Sequence, residues 1–178
     1  AGVSYCATCD GAFFKEKAVA VVGGGDTAIS DALYLSRFCT SVTVVHRRDE
    51  FRAAAVLVEK AKQVPNIHFA LSSVPVNLIG ECCVQGLEIM DLKTTEQRVL
   101  PVSGVFVAVG ITPQSALVKG VVNMNEGGSI LTDELMKTNI PGVYAAGDIR
   151  NTPLRQVITA CADGAVAATS ALEFISCH

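Results

Sequence analysis

The amino-acid sequence predicts an α/β fold that is built on a parallel sheet. Two apolar segments, residues 17–25 and 41–46, have the composition of buried strands. Each is followed by a segment in which apolar residues recur at helical spacing, at 26–38 and at 51–63. Because strands that alternate with helices form β-α-β units, these strands are expected to run parallel.

The middle of the chain predicts a different arrangement and a domain boundary. Residues 67–101 have the pattern of several short strands, which predicts an antiparallel β excursion from the main sheet. Residues 104–110 resemble one more buried strand, which stops at Ile111, Thr112 and Pro113. We therefore expect one domain over residues 1–110 and a second over residues 111–178.

The second predicted domain begins with a loop-rich stretch over residues 114–140. A short strand is expected over 142–146, closed by Gly147 and Asp148. The final helix is expected over 155–175, where apolar residues make a stripe of the kind that faces a protein core. The residues of this stripe are Cys161, Ala165, Ala168, Leu172 and Ile175.

Composition narrows the class of protein. Half of the 178 residues are hydrophobic, which allows a substantial core, and the net charge of -3 argues against nucleic acid as a partner. No apolar run approaches the roughly 18–20 residues of a membrane-spanning helix, so no membrane partner is expected. Seven cysteines, an odd number in a chain of this size, suit a reducing compartment, and a cytoplasmic location is expected.

A glycine-rich turn follows the first predicted strand. Residues 23–28 match G-x-G-x-x-A and open the first predicted helix. Gly23 permits the tight turn, Gly25 lets a diphosphate approach the backbone, and Ala28 keeps the helix close to the strand. The helix N-terminus, with Asp26 and Thr27, supplies donors to the phosphates. The motif predicts a Rossmann-like dinucleotide-binding domain, and a merely tight turn is the alternative.

A basic cluster at the end of the second predicted strand indicates which dinucleotide is bound. Versions of this fold that bind NAD place a carboxylate there to hold the ribose 2′-hydroxyl. This chain instead has His46, Arg47, Arg48 and Arg52. Guanidinium groups bind a 2′-phosphate by charge-assisted bonds, so the cluster favours NADPH over NADH. The alternative is a solvated basic patch.

Two cysteines near the start of the chain form a C-x-x-C motif. Cys6 and Cys9 have the spacing at which a disulfide closes on the first turn of a helix, where a thiol is activated. Asp10 is placed to pass a proton to or from a thiolate. A zinc site would need a second ligand pair at suitable spacing, so no metal is expected. The other five cysteines are expected to be small buried or incidental residues.

Nicotinamide delivers a hydride, whereas a disulfide is reduced by thiolate exchange or by a reduced flavin. A flavin is therefore the expected relay between NADPH and the dithiol. With these residues in place, the chain resembles the low-molecular-weight thioredoxin reductases, which are flavoproteins that depend on NADPH and FAD. The resemblance covers nearly the whole chain, at residues 6–11, 23–28, 46–48 with 52, 110 with 113, 140–148 and 155–158.

The resemblance implies specific roles in electron transfer. Cys6 would exchange with the protein substrate, Cys9 would face the flavin, and Asp10 would act as the acid. The substrate would be thioredoxin or a similar small dithiol protein, and the enzyme would be a homodimer.

The resemblance also implies that the second domain is the C-terminal portion of a second Rossmann-like domain, which binds FAD. Asp148 would hold the ribityl chain of the flavin. The other cofactor-binding residues implied in this way are Gly110, Ile111, Gly147, Arg155, Gln156 and Val157. In the family, a flavin-binding segment with its own glycine-rich loop precedes the dithiol, and it is absent from this sequence.

Three alternatives to a thioredoxin reductase remain open at this point. The chain could be a non-catalytic module that binds NADPH without FAD, or the reductase of a peroxiredoxin system, which uses a similar dithiol. A small dithiol carrier like thioredoxin is the third, and the glycine-rich loop argues against it, because such a carrier has no use for a diphosphate site.

Overall fold

The computed structural model describes residues 1–177, so His178, the last residue of the predicted second domain, lies outside the described residues. The chain divides into two compact units, Ala1–Gly110 and a second unit that begins at Ile111.

The first unit contains eight strands and three α-helices among its described residues. In chain order they are β1 (Val3–Ser4), α1 (Ala7–Asp10), β2 (Ala18–Val22), α2 (Asp26–Leu35), β3 (Ser41–Val45), α3 (Ala55–Lys62), β4 (Ile67–Ala70), β5 (Ser73–Ile79), β6 (Gly86–Asp91), β7 (Gln97–Leu100) and β8 (Gly104–Val107).

The main sheet has the strand order β1-β8-β2-β3-β4, and every pair in it is parallel. This confirms the predicted α/β fold with a parallel sheet. Strands β5, β6 and β7 form a separate antiparallel sheet, which is the predicted excursion. The predicted start of that excursion is wrong, because Ile67–Ala70 pairs with β3 in the parallel sheet. The two-residue strand β1 was not predicted, since it is too short to show a pattern.

The two faces of the parallel sheet bury different residues of the same strands. On one face, Val19 and Val21 pack with Ile29 and Leu35 of α2. On the other face, Ala20 and Val22 of β2 pack with Val45 and with the antiparallel sheet, which contributes Leu87 and Ile89. Because both faces are covered, strand β2 at the centre of the sheet is apolar at every position, as parallel strands commonly are.

Helices α2 and α3 are both shorter than predicted, for identifiable reasons. Helix α2 ends at Leu35, after which Arg37 and Phe38 donate to carbonyls only three residues back, in a tightened final turn. Helix α3 begins at Ala55 instead of near residue 51. The N–H groups of Arg52 and Ala53 are bonded to the carbonyl oxygen of Gly24, and the backbone of Ala54 is non-helical with ψ 134°, so the helix begins only after Ala54.

The second unit has one long helix, α4 (Val157–Ser176), preceded by loops and two short 3₁₀ turns, Ala116–Val118 and Gly147–Ile149. The prediction of a strand over residues 142–146 is wrong. Tyr144 makes a single bridge with Lys137, and the surrounding backbone closes local turns instead of pairing along a neighbour.

The predicted apolar stripe of α4 is exposed in the structure, and the buried positions of the helix are Asp163 and Ser170. Leu172 and Ile175, for example, are 65% and 71% exposed. The expectation that no segment has the length and composition of a membrane span was also wrong. Helix α4 passes that test because its 20 residues include many small apolar ones, although a single such helix is a weak indication.

A half-buried carboxyl in α2 makes the stability of the first unit depend on pH. Burial raises the pKa of Asp31 to about 6. Since this value lies above the pKa of the unfolded chain, the protonated form favours folding. Its contribution is complete below about pH 4 and is lost as the pH rises through about 6.

We therefore expect Asp31→Asn to raise the free energy of unfolding by about 1 kcal/mol at pH 8, a figure reduced for solvent screening. At pH 4.5 the gain should be smaller. Urea denaturation at both pH values measures the difference, and Glu81→Gln, in an exposed turn, serves as the control. An Asp31→Asn variant with unchanged stability at pH 8 would contradict this prediction.

Candidate functional site

The glycine-rich turn joins the end of β2 to the start of α2. Gly23 has φ +151°, and a side chain there would overlap the carbonyl oxygen of Ala108. The same added carbon would lie 2.9 Å from the Cβ of Ala28, which is fully buried. Gly23 and Ala28 therefore allow the helix to approach the sheet closely, as the motif requires.

Gly25 occupies a different environment at the N-cap of α2. Its φ of -98° is open to any residue, and nothing lies within 4 Å of the position that a Cβ would take. The first N–H groups of α2 follow directly, at Asp26 and Thr27, and the first turn of a helix leaves such donors without intrahelical partners. The open space and these donors make a suitable cradle for a phosphate group.

The middle glycine of the turn has a role that the motif did not predict. A side chain at Gly24 would overlap the imidazole ring of His46. His46 is buried, stacks on Phe51 with ring centroids 5.4 Å apart, and lies 3.1 Å from the carbonyl oxygen of Glu50. Burial lowers the pKa of His46, and the nearby arginines lower it further, although the hydrogen bond to Glu50 opposes them. The ring is therefore a neutral support for the turn.

Backbone hydrogen bonds fasten the basic cluster to the glycine-rich turn. The carbonyl oxygen of Gly24 accepts from the N–H groups of Arg52 and Ala53 at 2.8 and 3.2 Å. The Asp26 carboxylate accepts from the N–H of Ala54 at 2.7 Å. Asp26, which was predicted to contact the cofactor, thus holds the loop that carries the arginines.

The turn and the basic cluster border one cavity of about 260 Å³. It is lined by Val22, Gly23, Gly24, Val45, His46, Arg47, Arg52, Ser73, Val74, Pro75, Ala108 and Val109. Arg48 belongs to the same loop as Arg47 but does not line this cavity. Its backbone carbonyl oxygen accepts from the N–H of Ser72 at 3.2 Å. The structure therefore brings the glycine motif and the basic cluster together, although Ala28 and His46, their nearest members in sequence, are 18 positions apart.

The C-x-x-C motif forms a disulfide between Cys6 and Cys9, whose Cα atoms are 5.3 Å apart. Cys6 is the N-cap of α1, and its sulfur accepts from the N–H of Cys9 at 3.2 Å. A thiolate on Cys6 would be stabilised by the same donor. Of the other five cysteines, only Cys39 is buried; the four exposed ones are Cys82, Cys83, Cys161 and Cys177.

Ser4, a residue that the sequence did not single out, orients Asp10. The hydroxyl of Ser4 donates to the Asp10 carboxylate at 2.7 Å and accepts from the N–H of Cys6 at 3.1 Å. Ser4 is buried in β1 and paired with β8, so this link is anchored in the main sheet. Two aromatic residues close to the cysteines in sequence, Tyr5 and Phe13, are 81% and 74% exposed.

The predicted flavin-site residues of the second unit lie near one another. Arg155 donates from Nε to the carbonyl oxygen of Asp148 at 3.4 Å. Gln156 is the N-cap of α4 and forms a capping box with Thr159. Val157, the first residue of the helix, is 82% exposed. Asp148, Arg155, Gln156 and Val157 thus gather at the start of α4.

Gly147, Gly110 and Ile111 complete the predicted set of cofactor residues. Gly147 is buried with φ +79°, a value that favours glycine. Gly110 ends the first unit with φ +110° and open space at its Cβ position. Ile111 begins the second unit and is 67% exposed.

A buried ion pair holds the loop of Asp148 in place. Arg150 donates from Nε and Nη2 to the two carboxylate oxygens of Asp163, at 2.6 and 2.9 Å, and the N–H of Gly147 donates to the same carboxylate at 3.0 Å. These bonds hold the pKa of Asp163 below its usual range. Sequence reasoning missed both residues, because a charge pair thirteen positions apart leaves no periodic signal.

Comparison with known proteins places these features in one family. The sequence model of the pyridine nucleotide-disulphide oxidoreductases matches residues 1–164. The thioredoxin reductase of Peptoclostridium acidaminophilum is 46% identical over 99% of this chain and 58% of its own length. That of Listeria monocytogenes is 42% identical over 98% of this chain and 55% of its own length. The chain thus spans little more than half the length of these relatives.

Solved structures agree with the sequence comparison. The thioredoxin reductase from Streptococcus pyogenes superposes with a TM-score of 0.94 at 41% identity, over 99% of this chain and 58% of that one. The thioredoxin reductase from Giardia duodenalis gives a TM-score of 0.88 at 38% identity, over 98% of this chain and 58% of that one. These matches confirm the resemblance that the sequence motifs suggested.

The two outer glycines of the turn should respond differently to substitution. Gly23→Ala should lower the free energy of unfolding by about 3 kcal/mol, because the new Cβ meets backbone in a strained conformation. Gly25→Ser should change it by less than about 0.5 kcal/mol, since serine is a good N-cap and the space is open. Denaturation by urea measures both values.

The Gly25→Ser side chain would occupy the space that we assign to a phosphate, so it should also weaken NADPH binding, by roughly tenfold or more. Titration calorimetry on the folded variant measures this loss. Unchanged NADPH affinity in Gly25→Ser would show that no phosphate lies against this residue.

Proposed function

Because this chain belongs to the pyridine nucleotide-disulphide oxidoreductase family, we propose that it forms the NADPH-binding and dithiol-bearing part of a thioredoxin reductase. The observation that carries the proposal is the presence of a redox-type disulfide and a glycine–arginine cavity in one compact unit. A dithiol carrier has no use for such a cavity, and a simple nucleotide-binding module has no use for the disulfide.

NADPH would be held from its two phosphate ends. The diphosphate would lie in the open space at Gly25, against the N-terminal donors of α2. The 2′-phosphate would bind to the guanidinium groups of Arg47, Arg48 and Arg52, which extend from the loop beside the cavity. His46 and Asp26 would act on the ligand indirectly, by holding this loop against the turn.

The second unit offers groups that suit a flavin. The exposed carboxylate of Asp148 can accept from the hydroxyls of a ribityl chain, and the start of α4 presents Gln156 and Val157 beside it. The Arg150–Asp163 pair would keep Asp148 in position. A bound flavin would supply the relay, because it takes a hydride from nicotinamide and gives two electrons to a disulfide. Roles for Gly110, Ile111 and Gly147 in binding remain predictions.

The dithiol would then reduce an acceptor by thiol–disulfide exchange. The Cys6 thiolate, stabilised by the N–H of Cys9, attacks one sulfur of the acceptor disulfide and releases the other as a thiolate. Cys9 then attacks Cys6, which re-forms the disulfide and releases the second acceptor sulfur. Two electrons pass to the acceptor, and its sulfurs take up two protons. Asp10, oriented by Ser4, would move a proton in this step.

The proposed acceptor is thioredoxin or a similar small dithiol protein. The relatives that match this chain are themselves named thioredoxin reductases. The exposed rings of Tyr5 and Phe13, which lie close to the two cysteines in sequence, offer apolar surface, which favours a protein acceptor over a small molecule. The peroxiredoxin-system reductase stays the alternative, since its acceptor disulfide would meet the same surface.

We also propose that the protein is a homodimer and that it is located in the cytoplasm. The four exposed free cysteines suit a reducing compartment.

The arginines should determine cofactor choice. We expect Arg47→Ala and Arg48→Ala each to weaken NADPH binding by roughly ten- to a hundredfold, and NADH binding far less, because only NADPH carries the 2′-phosphate. Titration calorimetry with both nucleotides measures the ratio. Arg37→Ala, an exposed arginine beyond the C-terminal end of α2, is the control. Equal losses of affinity for NADPH and NADH would contradict the assignment of these arginines to the 2′-phosphate.

The two cysteines should behave differently in a single exchange reaction. When the reduced chain is mixed with an oxidised thioredoxin, Cys9→Ser should accumulate the mixed disulfide, because no thiolate remains to resolve it. Cys6→Ser should form it on the order of a hundredfold more slowly, because it lacks the activated nucleophile. Mass spectrometry of quenched samples detects the adduct, and Cys161→Ser should react like the unsubstituted chain. Adduct formation by Cys6→Ser at the normal rate would overturn the proposed roles.

A further inference from the structure

The loop that carries the basic cluster, residues 46–52, is called the basic loop here. It contains an acidic residue, Asp49, whose role the sequence motifs do not explain. Asp49 directly follows Arg47 and Arg48, in the segment that we assign to the 2′-phosphate. Between residues 46 and 52 there are three arginines and two carboxylates, which leaves a net charge of only +1. A carboxylate at this place repels a phosphate dianion, so the loop needs some means of limiting its effect.

The structure shows where the Asp49 carboxylate points. One oxygen accepts from the hydroxyl of Ser72, and the other lies 2.7 Å from the ammonium group of Lys93. These bonds hold the pKa of Asp49 below its usual range, with the Lys93 hydrogen bond the larger cause. Asp49 therefore stays ionised, and its charge is matched by a cation from a separate part of the fold.

Lys93 belongs to the turn between β6 and β7, and its position is fixed by hydrogen bonds. The Asp91 carboxylate accepts from the N–H groups of Lys93 and Thr94 at 2.7 and 3.1 Å, which shapes this turn. The N–H of Leu92 donates to the carbonyl oxygen of Ser72 at 2.6 Å. The N–H of Ser72 in turn donates to the backbone carbonyl oxygen of Arg48 at 3.2 Å. The antiparallel sheet is thereby tied to the basic loop at one residue.

We propose that Lys93 is a positioning and charge-compensating residue for the 2′-phosphate site: it neutralises Asp49 and thereby raises nucleotide specificity for NADPH. Lys93 places its positive charge 2.7 Å from the Asp49 carboxylate, which offsets the negative charge that faces the arginines. The antiparallel excursion, which contributes no residue to the glycine motif, would thus have a role in choosing the cofactor. The inference rests on the proposed function, because it presumes that Arg47 and Arg48 meet a 2′-phosphate.

The test compares two ligands that differ only in that phosphate, 2′,5′-ADP and 5′-AMP, by calorimetric titration of the whole chain. Lys93→Met should weaken 2′,5′-ADP roughly three- to tenfold and 5′-AMP less than about twofold, because both side chains are more than half exposed and the charges are partly screened. The loss should shrink in 0.5 M NaCl, since salt screens exposed charges over about 4–5 Å at this strength.

Three further variants separate charge compensation from other causes. Lys93→Arg keeps the cation and should bind both ligands as the unsubstituted chain does. Adding Asp49→Asn to Lys93→Met should restore 2′,5′-ADP binding, because no carboxylate remains to be neutralised. Lys62→Met removes the cation of another exposed pair, 2.8 Å from Glu59, and should leave both affinities unchanged. Thermal melting of each variant checks that it is folded.

Each remaining outcome overturns a specific claim. Equal losses of both ligands in Lys93→Met would mean that Lys93 only supports the fold. A loss that persists in the double variant would mean that Lys93 does not act through Asp49. If the unsubstituted chain preferred 2′,5′-ADP but Lys93→Met bound it with unchanged affinity, the role of Lys93 would be wrong and the proposed NADPH specificity would stand. If the unsubstituted chain bound both ligands equally, the proposed NADPH specificity would fall together with the inference.

Discussion

The proposed nucleotide site depends on the carbonyl oxygen of Gly24. It accepts two N–H groups from the basic loop, while the ring of His46 fills the space where a side chain at Gly24 would lie. These contacts join the ends of two parallel strands, so that the glycine-rich turn before α2 and the arginine cluster border one cavity. Ligands of open α/β sheets bind at this edge for the same reason: the carboxyl ends of the strands, and the helix N-termini after them, converge there.

Carboxylates in both units are held by a partner that fixes their direction. Asp10 is bonded to Ser4, Asp26 to the backbone at Ala54, and Asp163 to Arg150. Of the three, the Arg150–Asp163 pair is largely buried, with side chains 14% and 12% exposed, so its disruption would leave a costly unpaired charge. In each case the positioning partner lies on a different element from the carboxylate, which makes the site geometry a property of the folded chain.

Helix α4 illustrates how composition and environment can disagree. Its apolar stripe has the pattern of a buried face, yet the positions buried in the described structure are Asp163 and Ser170. The reason is chemical. The loop beside the helix contains Arg150 and the N–H of Gly147, and both donate to the carboxylate of Asp163. Periodicity reports which residues are apolar and gives no information about which partners the neighbouring backbone needs.

The sequence by itself determined the α/β class, the parallel order implied by β-α-β alternation, the glycine-rich turn and the dithiol. These features are local: they follow from the spacing of residues within about 30 positions, which propensity and short motifs record. The same reasoning identified the glycine motif and the arginines as two separate segments. It did not predict the hydrogen bonds that join these segments.

Only the tertiary structure decided the rest. It assigned residues 67–70 to the parallel sheet and replaced the predicted strand at 142–146 with turns. It also showed the contacts of Gly24, Ser4 and Asp163 and placed Lys93 beside Asp49. Most of these depend on a contact between residues distant in sequence: Lys93 with Asp49, for example, or Gly24 with His46. Such contacts have no periodic signature, because their geometry is fixed by how the sheets and helices pack and not by the order of residues along the chain.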